Sequence, residues 1–396
     1  MKYRILGILL LSSTAFSDDI TMCAWCEAGD STCDWSFADY SADLFVTSAS
    51  ASVGGRAFPY FRPTAQPALG VANPNVKIAV IVHHGAARNG ENYTSYMTNS
   101  VLRAGRSLGD TMVIGPQIYF PGDDGLDEDV HIWWDESSDD GGDANDGARD
   151  WKWGGNSTSE LDFSISTFQV LDEMLLTLAK KSLYPNLERV VFAGHSAGGQ
   201  IMQRYALFSR VYSDTAQLEI KYFVGNPSSV TWLGKERPVQ ASTKECDTFC
   251  VNTTIMTQEW VFKEPAESAC AASYNNYGYG LEGPLPSYPN TTTVEKAVSQ
   301  YADRDVVYLS GESDVCDARY MTDEHCTDCV PDDGGLDTSC EAFSQGWCRM
   351  SRLHAFSQYV SVFYGTPTHS LLSVPGVGHS GCGMFQSFAF SAAAYL

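Results

Sequence analysis

The sequence predicts an α/β protein: a mostly parallel central sheet with helices on both faces and a lid or cap insertion. Three observations carry this. Strand-length apolar runs recur at 77–82, 110–115, 190–193, 220–227 and 305–314, and an unbroken apolar run is what a strand covered on both faces requires. Helix-period segments fall between them at 92–108, 160–182 and 200–208. The second has apolar residues at 161, 165, 168, 171, 174, 175 and 178 and is closed by Pro185. Where the third strand run meets the third helical segment stands Gly194-His195-Ser196-Ala197-Gly198.

That pentapeptide is G-x-S-x-G in the strand–turn–helix context of a nucleophile elbow. A backbone strained enough to lift Ser196 clear of the sheet tolerates almost no side chain beside it, hence the flanking glycines. The helix that begins there aims its N-terminal N–H groups at developing negative charge. A nucleophile at Ser196 then needs a base, an acid that orients the base, and an oxyanion hole.

Taken in order, residues 1–17 read as a secretory signal peptide. Lys2 and Arg4 precede the apolar run 5–11, and small residues lead to Ser17. The run is too short to span a bilayer, and no later stretch reaches the ~20 residues needed, so no stable membrane anchor is expected. Cleavage near Ser17 removes Lys2 and Arg4 from the 25 basic residues and leaves 23 against 48 acidic ones. That balance excludes nucleic acid and anionic membrane surfaces as partners and favours a secreted protein. All 12 cysteines, at 23, 26, 33, 246, 250, 270, 316, 326, 329, 340, 348 and 382, lie beyond the cleavage point. An even count in an oxidising compartment predicts disulfide bonds rather than a zinc site built from Cys23-x-x-Cys26 and Cys326-x-x-Cys329. Sequons at Asn92, Asn156, Asn252 and Asn290 suit a glycoprotein.

Residues 18–74 form a Cys-containing N-terminal segment to which no chemistry is assigned, and 75–396 form the catalytic domain. The run 77–82 enters His83-His84-Gly85-Ala86-Ala87, where a backbone N–H must approach a substrate carbonyl and only small residues leave room. The candidate oxyanion donors are the N–H groups of Ala86 and Ala197, with Gly85 and His195 as adjoining substrate contacts. The paired histidines lack metal-ligand spacing and read as loop-positioning groups. The loop 122–156 holds Trp133, Trp134, Trp151 and Trp153 among many carboxylates. Aromatics on a loop over the sheet's carboxyl edge read as a cleft wall, with Trp133 and Trp153 touching substrate. Carboxylates bunch at 139–146, but their spacing does not match a calcium-binding EF-hand loop, and no metal or cofactor is assigned.

Residues 228–304 break the strand–helix rhythm and read as a lid over the active-site edge. Within it, 274–281 either lines the cleft, with Tyr277 as a contact, or forms tight turns. Downstream, Asp314 lies past the carboxyl end of a strand run. Glu312 and Asp317 are close competitors, and Asp303 and Asp305 are at the wrong end. Of the later histidines, His325 is in a cysteine-rich loop, His354 in a helix-like segment and His369 ahead of the last strand. His379 alone occupies a Gly-rich turn beyond that strand.

Over residues 75–396 this order of motifs resembles the α/β-hydrolase superfamily. His84-Gly85-x-x-Arg88-Asn89-x-x-x-Tyr93, Trp153-Gly-Gly155, Tyr277-Gly-Tyr-Gly-Leu281 and Leu336-Asp-Thr-Ser-Cys-Glu-Ala342 further resemble secreted microbial esterases similar to poly(3-hydroxyalkanoate) depolymerases and feruloyl esterases. The resemblance implies the α/β-hydrolase fold and a serine esterase with Ser196, His379 and Asp314 as its triad, acting on a small-molecule or polymer ester. Residues 18–74 and 122–146 have no counterpart in it. Two other readings stay open: a serine peptidase or acyltransferase on the same scaffold, and a catalytically silent hydrolase-like binding protein. The intact Ser–acid–His order counts against the last.

Overall fold

A computed structural model describes residues 40–46, 56–135, 150–212, 216–239, 252–265, 270–315 and 336–396. The expected signal peptide, cysteines 23, 26, 33, 246, 250, 316, 326 and 329, and the carboxylates at 139–146 lie outside them.

The strands are β1 (Tyr40–Phe45), β2 (Phe58–Pro63), β3 (Ile78–His83), β4 (Thr111–Pro116), β5 (Arg189–His195), β6 (Glu219–Gly225), β7 (Arg237–Pro238), β8 (Phe262–Lys263), β9 (Asp305–Gly311) and β10 (Ser370–Val374). Eight of them form one sheet in the order β1-β2-β4-β3-β5-β6-β9-β10, while β7 and β8 pair separately. β2 runs antiparallel to both of its neighbours, and every other pair in the large sheet is parallel. The sheet therefore takes its first two strands from the N-terminal segment that the sequence set apart. Pro59 and Pro63 in β2 hid that strand, because proline within a run argues against a paired strand.

The helices are α1 (Gly90–Arg103), α2 (Thr167–Leu178), α3 (Ala197–Phe208), α4 (Asn252–Thr257), α5 (Val294–Tyr301), α6 (Cys340–Phe343), α7 (Arg349–Tyr364), α8 (Gly381–Phe385) and α9 (Phe388–Tyr395). Successive strand residues point to opposite faces, and both faces are covered. Ile78, Val80 and Val82 of β3 pack with Tyr93, Met97 and Val101 of α1 and with Phe385 and Phe390 of α8 and α9. The alternate residues, Ala79 and Ile81, join the opposite cluster with Phe168 of α2, Tyr205 of α3 and Phe356 of α7. This two-sided burial is why the central strands read as unbroken apolar runs.

Three of the four tryptophans of the Trp-rich loop pack into the core, while Trp153 is half-buried. Trp133, Trp134 and Trp151 are 3%, 0% and 1% exposed and belong to the core. Trp151 stacks on His83 with ring centroids 5.1 Å apart. Indole rings bury so much apolar area that packing outweighs the acidity of the surrounding sequence.

The described part of 228–304 is packed down by buried side chains. Trp232, Tyr274, Tyr277, Tyr279 and Tyr288 are all buried. The guanidinium of Arg204 donates to Gly278 O at 2.6 Å, and that of Arg237 donates to Tyr274 O at 3.0 Å and Tyr279 O at 3.1 Å. A Cys270–Cys340 disulfide ties this stretch to the first residue of α6. Residues 274–281 are thus tight turns whose carbonyls are held by buried cations. Among the described residues no helix is long and apolar enough to cross a membrane.

Candidate active site

The chain visits β4 on one side of β3 and then returns to lay β5 on the other. Such a reversal is a topological switch point, and open α/β sheets bind ligands in the crevice beyond the strands' carboxyl ends there. His83 pairs with Gly194, so the turns that follow β3 and β5 face each other.

Ser196 holds φ 60° and ψ −122°. For a residue with a side chain, such a conformation costs about 1–3 kcal/mol and persists only where the surroundings enforce it. The Ser196 N–H donates to Gly225 O at 3.0 Å. A Cβ on Gly194 would lie 2.0 Å from Gly198 O, and one on Gly198 would lie 2.5 Å from His83 O. The start of α3 is therefore wedged against the ends of β5 and β3 at backbone-to-backbone distance, which requires glycine at both positions.

Gly85 faces Ser196, and a Cβ on it would lie 3.5 Å from Ser196 Cβ. The peptide joining Gly85 to Ala86 is held through its carbonyl. The Arg88 N–H donates to Gly85 O at 3.2 Å, and His84 Nδ1 lies 2.8 Å from the same oxygen. The Ile118 N–H donates to His84 Nε2 at 3.0 Å, so Nε2 is the unprotonated nitrogen and Nδ1 carries the proton given to Gly85 O. In a trans peptide the N–H points opposite to the C=O, so the Ala86 N–H faces away from His84. Burial keeps His84 well below the ordinary imidazole range and holds His83 at about 4. Both rings act as neutral loop-positioning groups. Beside this loop is a polar hollow of about 330 Å³ lined by Ala87, Asn89, Glu91 and Asp124 among others. At its wall Arg88 makes paired 2.7 Å bonds to the two carboxylate oxygens of Asp123.

The loops after β9 and β10 meet one another. The Ser313 N–H donates to Val377 O at 2.9 Å, and a Cβ on Gly311 would lie 2.5 Å from that same oxygen. This contact presents Asp314 to His379, whose Nδ1 is 2.8 Å from Asp314 Oδ2. Asp314 is 4% exposed. Burial lowers the His379 pKa, the nearby Arg349 cation lowers it further, and Asp314 opposes both. Of the competing groups, Asp317 and His325 lie outside the described residues. His369 bonds Tyr308 Oη and Tyr301 O, and Asp305 lies at the amino end of β9.

Of the residues expected to touch substrate, His195 is buried behind the imidazole–carboxylate pair. Its ring centroid is 4.4 Å from that of His379, and its Nδ1 is 3.0 Å from Tyr93 Oη. Trp133, expected to touch substrate, is 3% exposed and packs in the core. Tyr277 is also buried, and its hydroxyl donates to Trp153 O at 2.6 Å, so these two hold each other while Trp153 stays half-buried.

Two residues that sequence reasoning missed support the site. Asn226, just past β6, has φ 39° and is 1% exposed. Its Oδ1 accepts from the Gly311 N–H at 2.8 Å and its Nδ2 donates to Gly378 O at 3.2 Å, so one side chain joins the acid loop to the histidine loop. The only signal was a polar residue ending an apolar strand run. Asn226→Ala is expected to lower kcat/KM on an ester by up to about 100-fold through misplacement of His379. Steady-state kinetics on protein with an unchanged Tm checks this, and unaltered kcat/KM would remove Asn226 from the site. The second missed residue is Arg349, the buried first residue of α7.

No family model and no curated protein matches the chain. Among solved structures, the poly(3-hydroxybutyrate) depolymerase LpqC of Bordetella parapertussis is similar at 17% identity, covering 89% of this chain and 88% of that one, with a TM-score of 0.51. Poly(aspartic acid) hydrolase-1 of Sphingomonas sp. KT-1 is similar at 16% identity, covering 90% of this chain and 98% of that one, with a TM-score of 0.51. At such identities the likeness is one of fold. Together with the strand order, the antiparallel β2 and the turn carrying Ser196, it establishes that the chain has the α/β-hydrolase fold.

Proposed function

We propose that the protein is a secreted serine hydrolase that cleaves carboxylic esters through Ser196, His379 and Asp314. The carrying observation is the strained Ser196 backbone at the same sheet edge as a 2.8 Å imidazole–carboxylate pair. His379 Nε2 takes the Ser196 proton as Oγ attacks the ester carbonyl. Asp314 holds the Nδ1 proton and stabilises the imidazolium. The N–H groups of Ala86 and Ala197 receive the oxyanion, His379 protonates the departing alcohol, and water cleaves the acyl-enzyme by the same steps. The Cys270–Cys340 bond supports passage through an oxidising compartment.

An amide-cleaving role shares the acyl-enzyme, and the Sphingomonas neighbour is described as a poly(aspartic acid) hydrolase. Electrostatics favours the ester reading over a polyanionic substrate. The chain carries a formal charge of −23, and Glu91 and Asp124 line the hollow beside the candidate oxyanion loop. An acidic surface of this kind repels a polycarboxylate. A fluorophosphonate probe is expected to label Ser196, and p-nitrophenyl esters are expected to turn over faster than peptide anilides. Absence of labelling in the wild type would sink the serine-hydrolase reading, and faster anilide cleavage would replace esterase with peptidase.

A further inference from the structure

We propose that Arg349 is a charge partner of Asp314 that keeps the His379 imidazole neutral, and so ready to accept a proton, under acidic conditions. The inference rests on reading Asp314 and His379 as the acid–base pair. Arg349 opens α7, is 1% exposed, and places Nη1 3.8 Å from Asp314 Oδ1. His379 uses the other oxygen, Oδ2. The Met350 N–H donates to Asp314 O at 3.2 Å, so the start of α7 is fixed to the acid's own backbone.

A guanidinium does not lose its proton in a protein, so this cation is permanent. Buried charges interact through a low effective dielectric and are felt strongly. Without Arg349, a proton on His379 would neutralise Asp314. With Arg349 present, the same proton leaves the trio at a net positive charge, and the free enzyme resists it. The transition state differs, because imidazolium and oxyanion form together. There the cation's repulsion of one is offset by its attraction for the other. Arg349 thus discourages idle protonation of the base more than it hinders the reaction.

The groups facing His379 come from several elements. Beyond β9 stands Asp314, from α7 comes Arg349, and from the end of β5 comes His195. Tyr93 of α1 reaches it only through His195. Burial keeps His195 neutral. Among the described residues the permanent charges acting on His379 are therefore Asp314 and Arg349.

The test is a pH titration of wild type, Arg349→Met and Arg349→Lys by two readouts. One is the low-field NMR resonance of the His379 Nδ1 proton, and the other is kcat/KM on p-nitrophenyl butyrate. Arg349→Met is expected to move the acid midpoint to higher pH in both, while Arg349→Lys, which keeps the charge, leaves it near the wild-type value. A midpoint that stays put while the rate falls equally at every pH would reduce Arg349 to a packing role and overturn the proposal. Arg349→Gln, which retains polar contacts, carries the same two outcomes should the methionine variant fail to fold. The NMR midpoint reads His379 whatever the substrate is, so failure here is separable from failure of the esterase assignment.

Discussion

Ser196→Ala is expected to lower kcat/KM on a p-nitrophenyl ester by about 10⁶-fold, and Asp314→Asn by about 10⁴-fold. The two losses have different origins. Alanine removes the attacking oxygen, so only binding and the oxyanion N–H groups remain to act on the substrate. Asparagine keeps the shape of the acid, but its amide no longer offers a charge 2.8 Å from His379 Nδ1. The imidazole then loses the partner that fixes its tautomer and stabilises its protonated form. Because the groups act as a unit, the double variant should be little worse than Ser196→Ala alone. Kinetics corrected by active-site titration decide the matter. If Ser196→Ala retained a tenth of wild-type turnover, the nucleophile would lie elsewhere.

The parts of this arrangement legible in the sequence are those in which one local rule decides the outcome. Strands β3, β4, β5, β6 and β9 announced themselves because burial on both faces removes the polar residues that blur a strand. Ser196, Asp314 and His379 were named as candidates because a nucleophile, an acid and a base are expected in that order at strand ends, and the structure sets the last two 2.8 Å apart. The remainder depended on partners distant in sequence. Asn226 supports groups 85 and 152 residues away, and nothing near it in the chain marks that role. Arg349 meets Asp314 only because α7 returns its first residue to the end of β9. Trp133 misled for the opposite reason. Its neighbours are acidic and predicted a surface loop, but the ring is covered by residues that the local sequence does not contain.

Gly198→Ala is expected to be severely damaging, although alanine is ordinarily about 1 kcal/mol better than glycine inside a helix. The added carbon would sit 2.5 Å from His83 O and 2.6 Å from His84 O, and both contacts are with backbone. A flexible side chain would yield to such a contact, but β3 is paired on both sides and buried, so α3 must move instead. Overpacking of this kind typically costs about 1–3 kcal/mol. The larger effect falls on function. The end of β3 carries the loop with the Ala86 N–H, and α3 begins at the Ala197 N–H, so pushing the helix from the strand parts the two proposed oxyanion donors. Losing one such donor costs about 10²–10³ in kcat. A lowered Tm and a fluorophosphonate labelling rate reduced by a similar factor are therefore expected together. Gly109→Ala, where the new carbon meets only Ser107 Oγ at 3.5 Å, is the control and should leave both unchanged. If Gly198→Ala matched the wild type in Tm and labelling rate, the wedge between α3 and β3 would not be what holds Ser196 in its strained turn. The nucleophile's geometry would then have to be enforced from the β6 side, through Gly225 O.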